Sequence, residues 1–540
     1  MAAHAGIAHA GQPIPLGPAA PPPPPAAKDM RRVTVGQATL SPPPAEAVGL
    51  LDAKSGGLPK TLWRGVSAAT VRALLPALPM DLDSPTLRRL AWRLLKSAGR
   101  GPAGDGAGAK PSFLALRVGA LLALGDDDGA AALAALAPAG ATDNDLVRTE
   151  ITALMLSGHT GQACRLMPLL PEGTGGVEGA ETRVLCQFRA GEHLKANLGL
   201  DLLRHAKPRD TAFIHAAEVV SGLPLGRTRL GPVRTLGAAL AVRAAKLTFP
   251  FRTEETAPPP VLAMLATSDA LPPARRLVAA ERAAAQGVID GAAYRAAISA
   301  AAKHPAKGGP AALAGLVRAA MAAKDPGRQL DLIAKALDQA AARGRTDAVC
   351  RVLAPLVTAL TPDPHLAARA PVAITVLLAA GRVKAAAGWM ALIRNDPAAL
   401  AKVWPLARIW AMSGTAPTLA ETAKSYADWR AAGAKPRQAV LVLGLLSALG
   451  QPVPDSALAA LRDKPQPTRI MPATAELLRL ETRRGSVGGV VLASLASFSD
   501  PRLDRADPLT LSRVVAALKT IGLDTDARML ATEAVLAFGS

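Results

Sequence analysis

The chain has 540 residues, half of them hydrophobic but only 3% aromatic, and its net charge is +20 at pH 7. A chain of this length exceeds one hydrophobic core of ordinary size, which predicts several domains or one long repeat array. The apolar residues are chiefly Ala, Leu and Val. Because Ala and Leu favour helices and the aromatic residues typical of strands are scarce, the composition predicts an all-α protein.

The positive charge comes from 62 Lys and Arg residues against 42 Asp and Glu residues. Such an excess attracts anionic polymers, so a nucleic acid or an envelope polysaccharide is one candidate partner. The basic residues form no dense block, and charge spread over solvated helix faces is the alternative interpretation. The scarcity of aromatic side chains also argues against a surface that stacks single-stranded bases.

Residues 1–45 have the composition of a disordered Pro/Ala-rich tail. Two proline runs, Pro21–Pro25 and Pro42–Pro44, favour an extended polyproline II conformation that cannot bury a core. Within this tail, Ala8-His9-Ala10 has the small-residue pattern that ends a signal peptide, which raises the expectation of a start further upstream. An ordinary Ala/Gly-rich tail is the alternative interpretation.

Order is predicted to begin with N-terminal helices in residues 46–98. One helix is expected at about residues 68–78. The pair Ser84-Pro85 suits the cap and first position of a second helix, which runs to about residue 97. Residues 99–110 are interpreted as a Gly-rich linker, because no strand precedes the glycines and no P-loop lysine follows them.

A recurring pattern follows the linker. Gly125, Gly158 and Gly191 are spaced 33 residues apart. An alanine stands five residues after each glycine and a β-branched aliphatic residue seven before it, namely Ala130, Ala163 and Ala196, and Val118, Ile151 and Val184. Glycine accepts the left-handed backbone that ends one helix, and an early alanine lets the next helix cross closely. This period predicts repeated helical hairpins.

The same register recurs near the C-terminus. It is found at Ile374-Gly381-Ala386 and Val515-Gly522-Ala527, with Gly414 33 residues after Gly381, and more weakly at Gly287-Ala292. These residues resemble the tetratricopeptide repeat family, in which a small residue follows the turn glycine by five positions. The Ala-rich composition as a whole also resembles that of proteins from high-GC alphaproteobacteria.

The resemblance implies an α-solenoid of helical hairpins. Its hairpins would occupy residues 111–225 and 366–540, separated by an Ala-rich helical region at residues 226–365. In this family the first helix of each hairpin lines a groove that receives a partner protein. Carried over to this chain, the groove would contain five residues: Arg148, Thr152, Met155, Phe188 and Arg189. Core packing of Met155 and Phe188, and simple solvation of the two arginines, is the alternative.

The sequence contains no recognisable catalytic or metal-binding motif. H-E-x-x-H, G-x-S-x-G and P-loop patterns are missing, and the three cysteines include no C-x-x-C pair. The chain also resembles the non-catalytic superhelix of soluble lytic transglycosylases, but it lacks their Glu-Ser pair. The longest apolar run, Ala439–Gly450, is shorter than the roughly 20 residues that span a bilayer.

We therefore predict a non-enzymatic scaffold for an unknown protein partner, with no cofactor, no metal and no membrane span. Charge-driven binding of an anionic polymer is one alternative, and an envelope enzyme of unrecognised type is another.

Two of the three cysteines give an indication of the cellular compartment of the protein. Cys164 lies in the second helix of one hairpin and Cys186 in the first helix of the next. In a tetratricopeptide-like stack these helices pack together. A disulfide needs Cα atoms within roughly 7 Å, and close packing of small residues makes that distance feasible. Such a bond persists in an oxidising compartment, so a periplasmic location is favoured over a cytoplasmic one. Two buried free thiols are the alternative.

Overall fold

The protein is all-α in the part of the chain that the computed structural model describes, which confirms the predicted fold class. This part comprises residues 45–104, 109–138, 143–206, 211–224, 229–233, 235–269, 271–302, 309–412, 418–455, 457 and 471–539. Within these ranges there is no β-strand, and only two isolated bridges occur, Leu51 with Ser97 and Ser67 with Ala103. The predicted disordered tail, apart from Ala45, and Gly414 of the repeat lie outside the described residues.

The α-helices of these ranges number 26, in chain order. The first ten are α1 (Ala68–Leu74), α2 (Pro85–Lys96), α3 (Phe113–Leu124), α4 (Asp127–Ala134), α5 (Asn144–Leu156), α6 (Thr160–Leu166), α7 (Gly176–Arg189), α8 (His193–His205), α9 (Thr211–Val220) and α10 (Leu236–Ala244). The next eight are α11 (Thr253–Thr256), α12 (Pro259–Thr267), α13 (Pro273–Gln286), α14 (Gly291–Ala301), α15 (Gly309–Ala322), α16 (Pro326–Ala341), α17 (Thr346–Thr358) and α18 (Ala370–Ala379). The last eight are α19 (Val383–Leu392), α20 (Pro397–Ile409), α21 (Leu419–Ala431), α22 (Pro436–Ala448), α23 (Pro472–Arg484), α24 (Val487–Ala496), α25 (Pro508–Thr520) and α26 (Asp524–Phe538).

The predicted start of α2 is confirmed in atomic detail. Ser84 has an extended backbone, and its hydroxyl accepts a hydrogen bond from the Leu87 amide at 3.2 Å. Pro85 follows in the first turn of α2. Proline has no amide hydrogen, and at this position of a helix no carbonyl within the helix would accept one. The first predicted helix is also present, as α1 followed by a 3-10 turn at Leu75–Ala77.

The glycine–alanine register corresponds to the hairpins. Gly125 ends α3 with a left-handed φ of 76°, and the glycines at positions 158, 191, 381 and 522 also have positive φ. The alanine five residues after each of these glycines is fully buried: Ala130, Ala163, Ala196, Ala386 and Ala527. A larger side chain at these positions has no room between the two helices, which explains the small residue.

Successive helices pack on one another along the chain. For example, α3 contacts α4 and α5, and α18 contacts α19 and α20. This neighbour-to-neighbour packing is the arrangement of a helical solenoid. The weakest repeat differs, because Ala292 lies on an exposed face of α14.

The last helix departs from a simple linear array. Helix α26 packs against α25 and α22, but also against α20, α18, α17 and the N-terminal α2. Helix α2 in turn contacts α24. Two backbone hydrogen bonds join the same regions, from the Gly488 amide to the Leu62 carbonyl at 2.8 Å and from the Asp83 amide to the Pro501 carbonyl at 2.7 Å. These contacts join the N-terminal and C-terminal parts of the described chain.

The described residues from Ala45 onward belong to one compact unit. None of the helices in the described ranges has the length and apolar character needed to cross a membrane.

Candidate functional site

The five residues of the predicted groove do not form one exposed surface. Met155 and Phe188 are 2% and 6% exposed and belong to the hydrophobic core. Arg148 and Thr152 are half-buried, and the Thr152 hydroxyl donates a hydrogen bond to the Arg148 carbonyl at 3.0 Å. Arg189 is the one member of the five that is exposed. Met155 and Phe188 therefore do not line a groove. They pack in the core, which is the alternative interpretation of the sequence.

Cys164 in α6 and Cys186 in α7 are joined by a disulfide in the structure. Their Cα atoms are 5.3 Å apart, and 22 positions of sequence separate them. The bond links two consecutive hairpins across the face where α6 packs on α7. The third cysteine, Cys350, is a buried free thiol, and burial raises its pKa well above the ordinary range.

Many arginines are engaged inside the protein. The fully buried Arg117 donates hydrogen bonds to the backbone carbonyls of Leu95, Val48 and Ser97 at 2.7 to 2.9 Å. Arg275 donates to two carbonyl oxygens and forms an ion pair with Glu254 at 2.6 Å. Such a guanidinium has most of its donors occupied by the protein itself, which makes it a poor ligand for a polymer phosphate or sugar acid. These two arginines thus serve internal packing of the helices.

An apolar ridge lies on the outer face of α8. Leu194, Leu198 and Leu202 are 90%, 63% and 63% exposed. Their spacing of four residues places them in one row along the helix, about 12 Å long at 1.5 Å per residue. We call these three residues the leucine ridge. The opposite face of α8 is also apolar, because Ala196 and Leu200 are buried against the rest of the array.

The charged residues beside the leucine ridge balance each other. Lys195 pairs with Glu192 at 3.2 Å, and Arg204 pairs with Asp201 at 2.5 Å. Arg204 also forms an ion pair with Glu218 of α9. The surroundings of the ridge therefore carry no excess of positive charge. This environment differs from the strongly basic surface that an anionic polymer requires.

A second feature is a cleft between α19, α20 and α21, which we call the α20 cleft. Its volume is about 670 Å³. Its apolar lining includes Met390, Leu400, Ala401, Trp404, Ala407 and Met412. Charged side chains at its rim have both signs: Arg394 and Lys424, and Glu421 and Asp428. An apolar cleft of this size with a few polar groups has the general form of a ligand site.

Arg408 lies in the α20 cleft and is only 7% exposed. Its Nη2 donates a hydrogen bond to Gln451 Oε1 at 2.7 Å. Its Nε is shielded from solvent and has no hydrogen-bond partner among the described residues. Burial lowers the pKa of the Arg408 guanidinium.

Asp127 and Glu533, elsewhere in the fold, are acidic groups with a raised pKa. Asp127, in the first turn of α4, belongs to the acidic run of residues 126–128, and burial together with the charges of Asp126 and Asp128 raises its pKa to about 7. Glu533 in α26 is 3% exposed, and burial and the nearby Asp347 raise its pKa. Hydrogen bonds from the N-terminus of α2 hold Glu533 in place, so we assign it to closure of the fold.

Among the described residues, no group of three or more His, Cys, Asp or Glu side chains is arranged to hold a metal ion. No protein-family model, curated protein or solved structure shows significant similarity to the chain. The fold is therefore described by its own geometry, as an all-helical array of repeated hairpins.

Proposed function

We propose that the protein is a helical-repeat scaffold of the tetratricopeptide-like type that binds an amphipathic helix of a partner protein on the leucine ridge of α8. This proposal rests on the exposure of Leu194, Leu198 and Leu202 in one row. A helix that is apolar on both of its faces is normally covered on both. The inner face of α8 has neighbours in this chain, and the partner helix would cover the outer one.

The shape of the ridge favours a helix as its partner. A row of side chains spaced four residues apart packs into the groove between the corresponding rows of a second helix. Each leucine removed from water contributes roughly 1.5–3 kcal/mol before the entropy of association is subtracted. Three leucines therefore support moderate affinity, and further contacts around them would increase it.

The charges around the ridge support a protein partner over an anionic polymer. Lys195 and Arg204 are each paired with a carboxylate close by in the fold. A phosphate that binds Lys195 or Arg204 would lie beside the carboxylate of the same pair. The repulsion between these two negative charges is unfavourable. Binding of nucleic acid or polysaccharide elsewhere on the chain would be recognised by a steep loss of affinity with salt.

The disulfide supports a periplasmic location for this scaffold. A bond between Cys164 and Cys186 persists in an oxidising compartment, whereas cytosolic thiols are kept reduced. The partner protein would then be another component of the cell envelope.

The test compares affinity purifications with three forms of the full chain. One is the wild type, and one carries Leu194→Glu, Leu198→Glu and Leu202→Glu. A control carries the same change at three exposed leucines of other helical hairpins, namely Leu136, Leu419 and Leu509. We expect a protein that the wild type and the control retain and the ridge variant loses.

Two results would refute the proposal. One is recovery of the same proteins by all three forms. The other is a wild-type dimer, measured by light scattering, that the ridge variant alone converts to a monomer, because the ridge would then be covered by a second copy of this chain.

A further inference from the structure

The α20 cleft holds a buried cation without a counter-ion. Arg408 forms no ion pair within the described part of the chain, and its one hydrogen bond there is to the neutral amide of Gln451. Burying a guanidinium without an anion is unfavourable, and a buried donor without an acceptor adds to that penalty. An anion bound in the cleft would supply the missing counter-charge. The cleft is therefore suited to a ligand that brings a negative charge.

The rest of the lining requires that most of the ligand be apolar. Met390, Leu400 and Met412 surround the cleft, and Trp404 contributes to its floor with 6% of its surface exposed. A volume of about 670 Å³ lies within the range of sites that enclose one small molecule. An apolar body in contact with Trp404 would be removed from water, while its charged end reaches Arg408.

A cationic ligand fits less well, although three aromatic rings lie close by. Trp404, Tyr426 and Trp429 have ring centroids 5.4 to 6.0 Å apart and are all buried, so they pack on one another and form no open cage. The rim carboxylate of Glu421 is already engaged, because it accepts hydrogen bonds from the Thr418 amide and hydroxyl. Arg408 in the same cleft would repel a cation.

We propose that the α20 cleft binds a small apolar carboxylate, with the carboxylate hydrogen-bonded to Arg408 and the apolar body packed against Trp404. A carboxylate is a favourable partner because a planar guanidinium donates short, charge-assisted hydrogen bonds to it. This site is separate from the leucine ridge, and neither proposal depends on the other.

Titration calorimetry of the full chain tests this site with three probes of nearly equal size: 4-phenylbutyrate, 4-phenylbutanol and 4-phenylbutylamine. We expect saturable binding of the carboxylate at one site, with the alcohol at least tenfold weaker and the amine weaker than the alcohol. Equal binding of the acid and the alcohol, or preference for the amine, would overturn the proposal.

Three variants locate the binding. Arg408→Gln should weaken 4-phenylbutyrate at least tenfold, and Lys402→Gln, which removes an exposed charge from the same helix outside the cleft, should leave it unchanged. Because loss of a buried arginine can disturb folding, Ala407→Phe provides a second route by filling the cleft, and it should abolish binding. Wild-type affinity in either cleft variant, with the circular dichroism of the native protein, would contradict the assignment.

Discussion

The Ser84 hydroxyl donates a hydrogen bond to Glu533 at 2.5 Å, across 449 positions of sequence. The amide and hydroxyl of Thr86 donate to the same carboxylate at 3.0 and 2.7 Å. A carboxylate from α26 thus completes the N-terminus of α2, where unpaired amides and the helix dipole favour a negative charge. This contact joins α2 near the start of the described chain to its last helix, α26.

A second contact in the same place gives a prediction about stability. Asp526 of α26 is 8% exposed and pairs with both Arg89 and Arg93 of α2, each at 2.8 Å. We expect Asp526→Ala to lower the free energy of unfolding by about 1–3 kcal/mol, since the two arginines keep part of their hydration. Urea unfolding measures this. Asp524→Ala, at an exposed position of the same helix, should lose less than about 1 kcal/mol.

Asp127 predicts how stability depends on pH. Its pKa is raised to about 7 in the folded protein, first by burial and then by Asp126 and Asp128, with Arg243 and Arg88 opposing the shift. The folded state therefore binds more protons than the unfolded state, and stability falls as the pH rises from about 4 through about 7. Asp127→Asn should equal the wild type at pH 4 and exceed it by about 1–3 kcal/mol at pH 8. An equal pH dependence of the free energy of unfolding in the wild type and in Asp127→Asn would contradict the raised pKa of Asp127.

The disulfide gives a prediction about redox state. Removing it by Cys164→Ala with Cys186→Ala should lower the free energy of unfolding by about 3 kcal/mol, because the unfolded chain regains the freedom of the closed loop. Peptide mass spectrometry of protein alkylated without reduction should show these two cysteines unmodified. Cys350, being buried, should react only after unfolding, which provides an internal control. Alkylation of Cys164 and Cys186 in the native protein would refute the oxidised state.

The turn register gives a prediction about packing. Ala130 is fully buried in α4, and Ala132 on the same helix is exposed. We expect Ala130→Leu to destabilise the protein by about 1–3 kcal/mol through overpacking, whereas Ala132→Leu should change stability little. Thermal unfolding of the two variants distinguishes these positions. Similar melting temperatures would mean that the alanine in the repeat is not there to permit close helix crossing.

The repeat could be predicted from the sequence because it depends on local geometry. A left-handed glycine at the end of a helix and a small residue five positions later are determined by neighbouring residues, and Gly125 and Ala130 follow that rule. The closure by Glu533 could not be predicted in the same way. Its partners are more than 440 positions away in the sequence, and a single buried glutamate does not indicate which helix it will reach.

The candidate binding surfaces could not be predicted from the sequence, for a related reason. Leu194, Leu198 and Leu202 have a visible four-residue spacing, but so have Ala196 and Leu200, and periodicity alone does not tell which row faces the core. The resemblance predicts a groove position for Met155 and Phe188, whereas both are buried in the hydrophobic core. The α20 cleft requires three helices to meet, and that arrangement depends on the tertiary packing.

Photo-crosslinking from a single position shows whether the leucine ridge contacts another protein. A photoreactive phenylalanine analogue replaces Leu198 in one protein and the exposed Leu509 in a control, each expressed in the source cells. We expect a crosslink from position 198 to a different polypeptide. We expect no crosslinked product of the same mass from position 509. No crosslink from position 198, or a crosslink only to a second copy of this chain, would contradict it.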